Sequence, residues 1–494
     1  MELITNKDMK LIKENLDNIN KSIKKKIIDI FEPTIIDRKK IYDFIKSYIK
    51  ENERKIYGGF ALNELIKLKN KKDKIYDFDD LPDIDFYSYD PNSDIINICN
   101  KIYDMGFKKV NGREAKHKNT YSIFVNYELY CDITYVPKYI YDKIPIKIIE
   151  NYKYVHPNFI MLDYLKILTD PICSNWRIEK SLNRLNLLNK HYPIQINNNN
   201  IIINQTNNDS LIINGIKHIL YFIKNIPEVI VVGFYAYNYF LIKSEYGEID
   251  LLDIPFIEII SKNYIDDCNN ILNLLKDKIT NKISYKEYYP FFTYTGHICE
   301  IYLEEELICI IYDYNEKCVP YQTVNYINYI NYINYNDDIE YTEDKINIGT
   351  FSLTLLYGYI NIFRNKVFNF KEMKDIYEKF VSHLLMMRQY YFDTKKETIL
   401  SNNIFKEFIT DCIYPNYNPE YENLIRYEKR RLNNKPSMYI YDPEKNKKEE
   451  KDKNFYFANI SGNEIKNNKH SKLNNSDKNY IDIDDIDDID DVED

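Results

Sequence analysis

Glycine and proline are scarce, eleven and sixteen in 494 residues, which excludes collagen-like and wholly disordered architectures. The eight cysteines, at 99, 131, 173, 268, 299, 309, 318 and 412, make no C-x-x-C pair and no zinc-like spacing, so buried thiols in a reducing compartment are expected. The first residues, MELITNKDMKLIKENLDNINKSIKKK, lack the apolar core of a secretory signal. A long apolar run is also missing. The most apolar stretch, 226–242, is broken by Pro227, Glu228, Gly233 and Asn238, so it reads as a buried strand and helix rather than a membrane span. Nor is there a basic excess, the formal net charge being −9. Nine of the acids, however, crowd into 482–494 beside no Lys or Arg. The rest of the chain is therefore neutral, and a nucleic-acid groove is not excluded. A soluble intracellular protein with no membrane partner is the expectation.

What is present is length, enough for two or three domains, and 44% hydrophobic residues to build their cores. Ile, Asn, Lys and Tyr are heavily used, with 49 tyrosines. Their codons are built from A and T, so this bias marks an AT-rich genome rather than a chemistry.

The stretch KIYGGFALNELIKLKNKKDKIYDFDDLPDIDFYS organises the reading. Lys55, Ile56 and Tyr57 form a short strand running into Gly58-Gly59, where backbone angles forbidden to other residues let a ligand approach the main chain. A helix follows from Phe60 to Lys69, and its free N–H groups suit a phosphate. In Pro82-Asp83-Ile84-Asp85-Phe86 two carboxylates two residues apart project from one face of a strand. A hard divalent cation shared with substrate phosphates is the usual reason to hold like charges so. Further on, Tyr130, Asp132 and Thr134 alternate with Cys131, Ile133 and Tyr135 as in a strand. The 47 residues from Asp85 to Asp132 leave room for a helix and a strand or two, so the third carboxylate can join the first two.

A lone Gly-Gly or Asp-x-Asp is a weak signal, but the ordered set of five features is specific. It resembles the nucleotidyltransferase superfamily typified by DNA polymerase β, over about residues 55–136. With HPNFIMLDYLKILTDPICSNWRIEKSLNRLNLLNKHYP at 156–193, the chain looks like the poly(A) polymerase catalytic subunits of large cytoplasmic DNA viruses, poxviruses and giant viruses. The resemblance implies an α+β fold, a nucleotidyltransferase-like mixed sheet with helices. It implies template-independent transfer of AMP from ATP to RNA 3′ ends, with Asp83, Asp85 and Asp132 catalytic and holding Mg²⁺ or Mn²⁺ in a two-metal in-line reaction that releases pyrophosphate. Gly58, Gly59 and Asn63 would bind the nucleotide. Arg177, Lys180 and Arg184, at helical spacing, would offer cations to its phosphates, or would form the solvated face of a linking helix. Many superfamily members have Ser after the two glycines; here Phe60 stands in its place. The resemblance further implies polyadenylation of mRNA in the host cytoplasm, at the viral factory, and carriage in the virion. A homodimer and a separate processivity subunit stay open as partners. So do two other functions: another nucleotidyltransferase, uridylyl or small-molecule, and a non-catalytic RNA-binding protein of the same fold.

The sequence also repeats itself. VVGFYAYNYFLI at 231–242 parallels IYGGFALNELI, placing Gly233 opposite Gly58, Phe234 opposite Gly59 and Asn238 opposite Asn63. LLDIPFIEI sets Asp253 opposite Asp83 and Pro255 opposite Asp85, and HICEIYLEE sets Glu300 opposite Asp132. A degenerate second nucleotidyltransferase-like domain is expected. The full layout is a helical segment at 1–50, the catalytic domain at 51–150, a helical connection at 151–200, the degenerate domain at 201–345, a helical region at 346–440 and a disordered charged tail at 441–494. The VNYINYINYINY repeat at 324–335 reads as a low-complexity loop insertion, and the acidic end as a solvated run.

Overall fold

The computed structural model describes residues 3–30, 34–77, 80–117, 119–193, 210–247, 251–252, 254–292, 294–315, 317–327, 341–415 and 419–446. They divide into two units, the first drawn from Met1–Tyr135, Ile146–Val155 and Pro436–Phe457, the second from Val136–Pro145, His156–Lys435 and Ala458–Asp494. Each unit has its own sheet.

The first unit begins with helices α1 (Asn6–Ile30) and α2 (Ile35–Glu51). α1 leaves Met9, Ile12, Leu16, Ile19 and Ile23 exposed, whereas α2 buries Ile41, Ile45 and Ile49. Then come β1 (Lys55–Ile56), α3 (Gly58–Lys69), β2 (Ile84–Ser88), α4 (Pro91–Asp104), β3 (Val110–Glu114), β4 (Thr120–Val125) and β5 (Glu128–Tyr135). α4 starts where Asp90 accepts a bond from Ser93 N–H at 3.1 Å and Pro91 opens the first turn. β4 and β5 join through Asn126-Tyr127, both at positive φ, 48° and 69°, as a two-residue hairpin requires. After α5 (Lys138–Lys143), which belongs to the second unit, the hairpin β6 (Ile146–Ile149) and β7 (Tyr152–Val155) completes this part of the first sheet.

The second unit carries α6 (Pro157–Thr169), α7 (Pro171–Ser174), α8 (Ile178–His191), α9 (Ser210–Ile223), β8 (Val229–Val232), α10 (Gly233–Ser244), β9 (Ile257–Ser261), α11 (Tyr264–Lys278), β10 (Ile283–Tyr288), β11 (Ile298–Leu303) and β12 (Glu306–Asp313). They are followed by β13 (Val319–Ile327), β14 (Tyr341–Gly349), α12 (Phe351–Val367), α13 (Lys371–Lys395), β15 (Cys412–Ile413) and α14 (Pro419–Leu432). The chain then returns to the first unit as β16 (Ile440–Tyr441) and α15 (Pro443–Asn446).

The first sheet runs β16-β3-β4-β5-β2-β1-β7-β6 and the second β10-β11-β12-β9-β8-β14-β13-β15. From β3 to β6 and from β10 to β13 the two are the same, strand for strand. The senses agree as well: β2 with β5 and β9 with β12 are parallel, as are β1 with β7 and β8 with β14, and the other neighbours are antiparallel. The fold is thus α+β with a repeated mixed sheet, as the sequence repeat leads one to expect.

Two local expectations change. Val324–Ile327 of the tandem repeat lie in β13, whose backbone pairs with β14, and the rest of the repeat lies outside the described residues. The charged tail was expected to be disordered from 441, but Tyr441 pairs with Gly112 in the ladder and its hydroxyl donates to Asn100 Oδ1 at 2.7 Å. Helix α15 follows directly, and residues 447–494 lie outside the described residues. The acidic run at 482–494 lies outside the described residues.

Candidate active site

β1 ends at a backbone bond from Tyr57 N–H to Asp85 O, 2.9 Å, which fixes the glycine turn against β2. Gly58 has φ +69°, and a Cβ placed on it would lie 2.1 Å from Asp85 Oδ2. Glycine is required there twice, by backbone angle and by space. α3 starts at Gly58, and its N-cap Tyr57 makes no side-chain capping bond. The partial positive charge of a helix start therefore faces the turn. Tyr57 is held by stacking on Tyr87, centroids 3.9 Å apart, and by a 2.7 Å bond between its hydroxyl and that of Thr134. Phe60 is buried edge-on against Tyr42 at 6.0 Å, so the residue that follows the two glycines serves the core. The Asn63 side chain accepts from the N–H groups of Ile75 and Tyr76 at 2.8 and 3.1 Å and donates to Glu64 at 3.1 Å. It clamps the segment after the helix.

The parallel ladder sets Asp85 directly opposite Asp132. Asp83, two residues before Asp85, shares its face. One oxygen from each of the three carboxylates comes within 4.8 Å of the others, and all three residues are half-buried. Ser122, opposite Asp132 on β4, donates its hydroxyl to Asp132 Oδ1 at 2.5 Å. The sequence reading missed Ser122. The Asn126-Tyr127 turn alone would set Ser122 opposite Cys131; a register shift between Ile123 and Phe124 brings it opposite Asp132, and no pattern of letters announces that shift. Three carboxylate oxygens with no thiolate or imidazole among them fit a hard ion such as Mg²⁺ or Mn²⁺.

Gly58, Gly59, Asn63 and the three aspartates are all carried by the first unit. Arg177, Lys180 and Arg184 are carried by the second, on a 3-10 turn (Asn175–Arg177) and α8. The Arg177 guanidinium lies 4.2 Å from the ring of Trp176, and Arg184 donates to Tyr164 Oη at 3.2 Å.

The second unit repeats the cradle with other side chains. Gly233 begins α10 at φ +64°, and a Cβ on it would lie 2.1 Å from Glu258 Oε1. Asn238 both accepts from Leu252 N–H at 3.0 Å and donates to Leu252 O at 2.9 Å, so the asparagine clamp is kept. Strand pairing puts Glu258, not Pro255, at the position of Asp85, because Val232 pairs with Glu258 before Gly233 as Tyr57 bonds Asp85 before Gly58. Ile310, not Glu300, faces Glu258 from β12. Glu300 lies on β11, four residues before the Glu304-Glu305 hairpin, as Ser122 lies four before Asn126-Tyr127. Asp253, aligned with Asp83 by sequence, lies outside the described residues.

The corresponding space is filled from α12. Asn361 Nδ2 donates to Glu258 Oε2 at 3.1 Å beside the Tyr312 hydroxyl at 2.8 Å, and Arg364 pairs with Glu300 at 2.7 Å, both partners buried. Burial pushes the Glu258 carboxyl up to about 7. Burial also acts to raise Glu300, but the Arg364 charge and the bonds it receives outweigh this and hold it below its usual range. Among the described residues, Asp83, Asp85 and Asp132 are the one group of carboxylates placed to share an ion.

Comparison with known proteins gives one answer from several directions. A family model described as the poly(A) polymerase catalytic subunit matches residues 43–174. Another, described as the C-terminal part of the APMV poly(A) polymerase catalytic subunit, matches residues 186–475. The chain is similar to a protein of Acanthamoeba polyphaga mimivirus named as a poly(A) polymerase catalytic subunit, 32% identical over 462 residues, 89% of this chain and 78% of that one. A protein of the same name from African swine fever virus is 28% identical over 160 residues, 31% of this chain and 33% of that one. Among solved structures, the Megavirus polyadenylate synthase matches with a TM-score of 0.80 at 28% identity, over 96% of this chain and 92% of the other.

Proposed function

Because the chain belongs to the family of viral poly(A) polymerase catalytic subunits, we propose that Asp83, Asp85 and Asp132 are the centre at which it joins AMP from ATP to the 3′ end of RNA. It is a polynucleotide adenylyltransferase. The observation that carries the site is the register that sets Asp85 against Asp132 with Asp83 on the same face.

Asp83, Asp85 and Asp132 would hold one divalent ion and Asp83 with Asp85 a second. Magnesium or manganese so held supplies the charge that makes the RNA 3′-hydroxyl more acidic and offsets the charge of the triphosphate. The chain does the positioning. Gly58 lets the triphosphate approach the main chain beside Asp85, the start of α3 favours its negative charge, and Ser122 fixes the orientation of Asp132. Asn63 acts by holding the segment after α3 in place. The cations of Arg177, Lys180 and Arg184 serve phosphates. The hydroxyl attacks the α-phosphorus in line and pyrophosphate leaves, with no covalent enzyme intermediate, so positioning and charge neutralisation carry the rate.

The name "catalytic subunit" borne by the relatives supports work with a partner, either a second copy of the chain or a separate processivity protein. Kinship with enzymes of large cytoplasmic DNA viruses supports action on mRNA in the host cytoplasm, at the viral factory, and carriage in the virion. Extension of an RNA primer with each of the four ribonucleoside triphosphates, with and without Mg²⁺ or Mn²⁺, tests reaction, nucleotide and ion together. Growth with ATP alone, and only with the ion, is expected; equal use of UTP or growth in EDTA would sink the assignment.

A further inference from the structure

Trp176 is the single tryptophan of the chain, and 69% of it is exposed. A ring of this size is ordinarily among the most buried side chains, because it has the most apolar surface to remove from water. Its surroundings do not resemble an apolar contact patch. Asn175, Arg177, Glu179 and Lys180 are exposed beside it, and Ile172, at 39%, is the one large apolar neighbour in sequence that is also exposed. The Arg177 guanidinium lies 4.2 Å from the ring centroid, so a cation already accompanies the aromatic face. The same segment carries Arg177, Lys180 and Arg184 against Glu179 alone, a local positive balance in a chain whose net charge is −9. α8 buries Ser181, Leu185 and Leu188, and Arg184 donates to the Tyr164 hydroxyl at 3.2 Å, so the basic residues are carried on a packed helix.

We propose that Trp176 and Arg177 are a stacking platform for a base of single-stranded RNA, with Lys180 beside it taking backbone phosphate; this deepens the RNA-extending function above and rests on it. An aromatic face accepts any base, a guanidinium stacks on the same ring systems, and ammonium groups beside them meet the phosphates, the combination that single-strand binders use. The exposed surroundings of the ring are polar and mostly cationic, which suits a polyanionic strand.

With one tryptophan, emission excited at the red edge of its absorption reports from this place alone. The full chain, in EDTA and without ATP, is titrated with a single-stranded oligoadenylate, a duplex RNA of the same length, and ATP by itself. Saturable quenching by the single strand, weakened by salt, is expected. In parallel, anisotropy of a labelled single strand measures affinity for the wild type, Trp176→Ala and Trp176→Phe. A loss of roughly ten-fold or more in the alanine variant, largely regained by phenylalanine, is expected. Tight RNA binding that leaves the emission unchanged and is equal in the alanine variant overturns the platform while the RNA-extending function stands. Quenching by ATP and not by RNA also overturns it, assigning the ring to the nucleotide. Absence of any RNA binding removes the platform and the function it rests on together.

Discussion

Gly58 and Asp85 meet so closely that a methyl group on the first would lie 2.1 Å from a carboxylate oxygen of the second. The glycine turn and the acidic strand are therefore one device, and the backbone angle of one sets the room for the other. Gly58→Ala would face both a left-handed backbone, φ +69°, and that collision. The backbone term is about 1–2 kcal/mol, and Asp85 must also move. Nucleotide addition should fall by roughly 100-fold or more, since displacements near 1 Å have that effect. Single-turnover primer extension checks this, with circular dichroism establishing that the variant is folded.

Asp132 and Ser122 separate chemistry from orientation. Asp132→Asn should abolish addition while RNA affinity stays nearly intact; retained extension would defeat the site assignment. Ser122→Ala removes only the bond to Asp132 Oδ1. Its activity should drop roughly 10- to 100-fold, with the Mg²⁺ concentration for half-maximal rate shifted upward, because a supporting bond orients a ligand rather than reacting. A Mg²⁺ titration of both proteins distinguishes the two roles.

Glu258 gives the second unit a pH dependence. Its carboxyl is raised by burial from an ordinary 4.5 to about 7, so the folded chain keeps a proton that the unfolded chain releases between those values. The stability it contributes is complete below pH 4.5, declines as pH rises to about 7 and is lost above that. Glu258→Gln, neutral throughout, should leave stability at pH 4 nearly unchanged and raise it at pH 8 by at most about 3 kcal/mol. Urea unfolding at both values checks the sign.

Arg54 and Asp94 form a buried pair in the first unit, 2.8 Å apart with 7% and 0% of their side chains exposed, and the Tyr48 hydroxyl donates to the same carboxylate oxygen at 2.7 Å. Removing one partner strands a charge, so Arg54→Met or Asp94→Asn should each destabilise by about 3–5 kcal/mol. The double variant should be less damaged than the two singles sum to. A double-mutant cycle by denaturant unfolding measures the difference.

Much of the first unit was legible because its signals are local or of fixed period. Gly58-Gly59 marks a turn by backbone permissiveness, Asp83 and Asp85 share a face by the period of a strand, and Asp132 follows after room for the elements found between, α4, β3 and β4. The second copy was legible as a repeat but not in its register. Similarity of letters placed Pro255 and Glu300 at the acidic positions. The strand pairing chose Glu258 and Ile310, because ladder bonds and hairpins, not letters, fix which residues face each other. The segment from Gly233 to Glu258 is also two residues shorter than that from Gly58 to Asp85, a difference absorbed in the loop after the helix. The Asn361 and Arg364 contacts come from a helix far along the chain, and no local pattern announces them.

β16 is the outermost strand of the first sheet, laid along β3 by residues more than 300 positions later. During synthesis, then, that margin stays bare until residues past Tyr441 have left the ribosome. A shortened product ending after α14 would leave the outer edge of β3 unpaired and should be prone to clumping, so an expression boundary for the catalytic part belongs beyond Asn446.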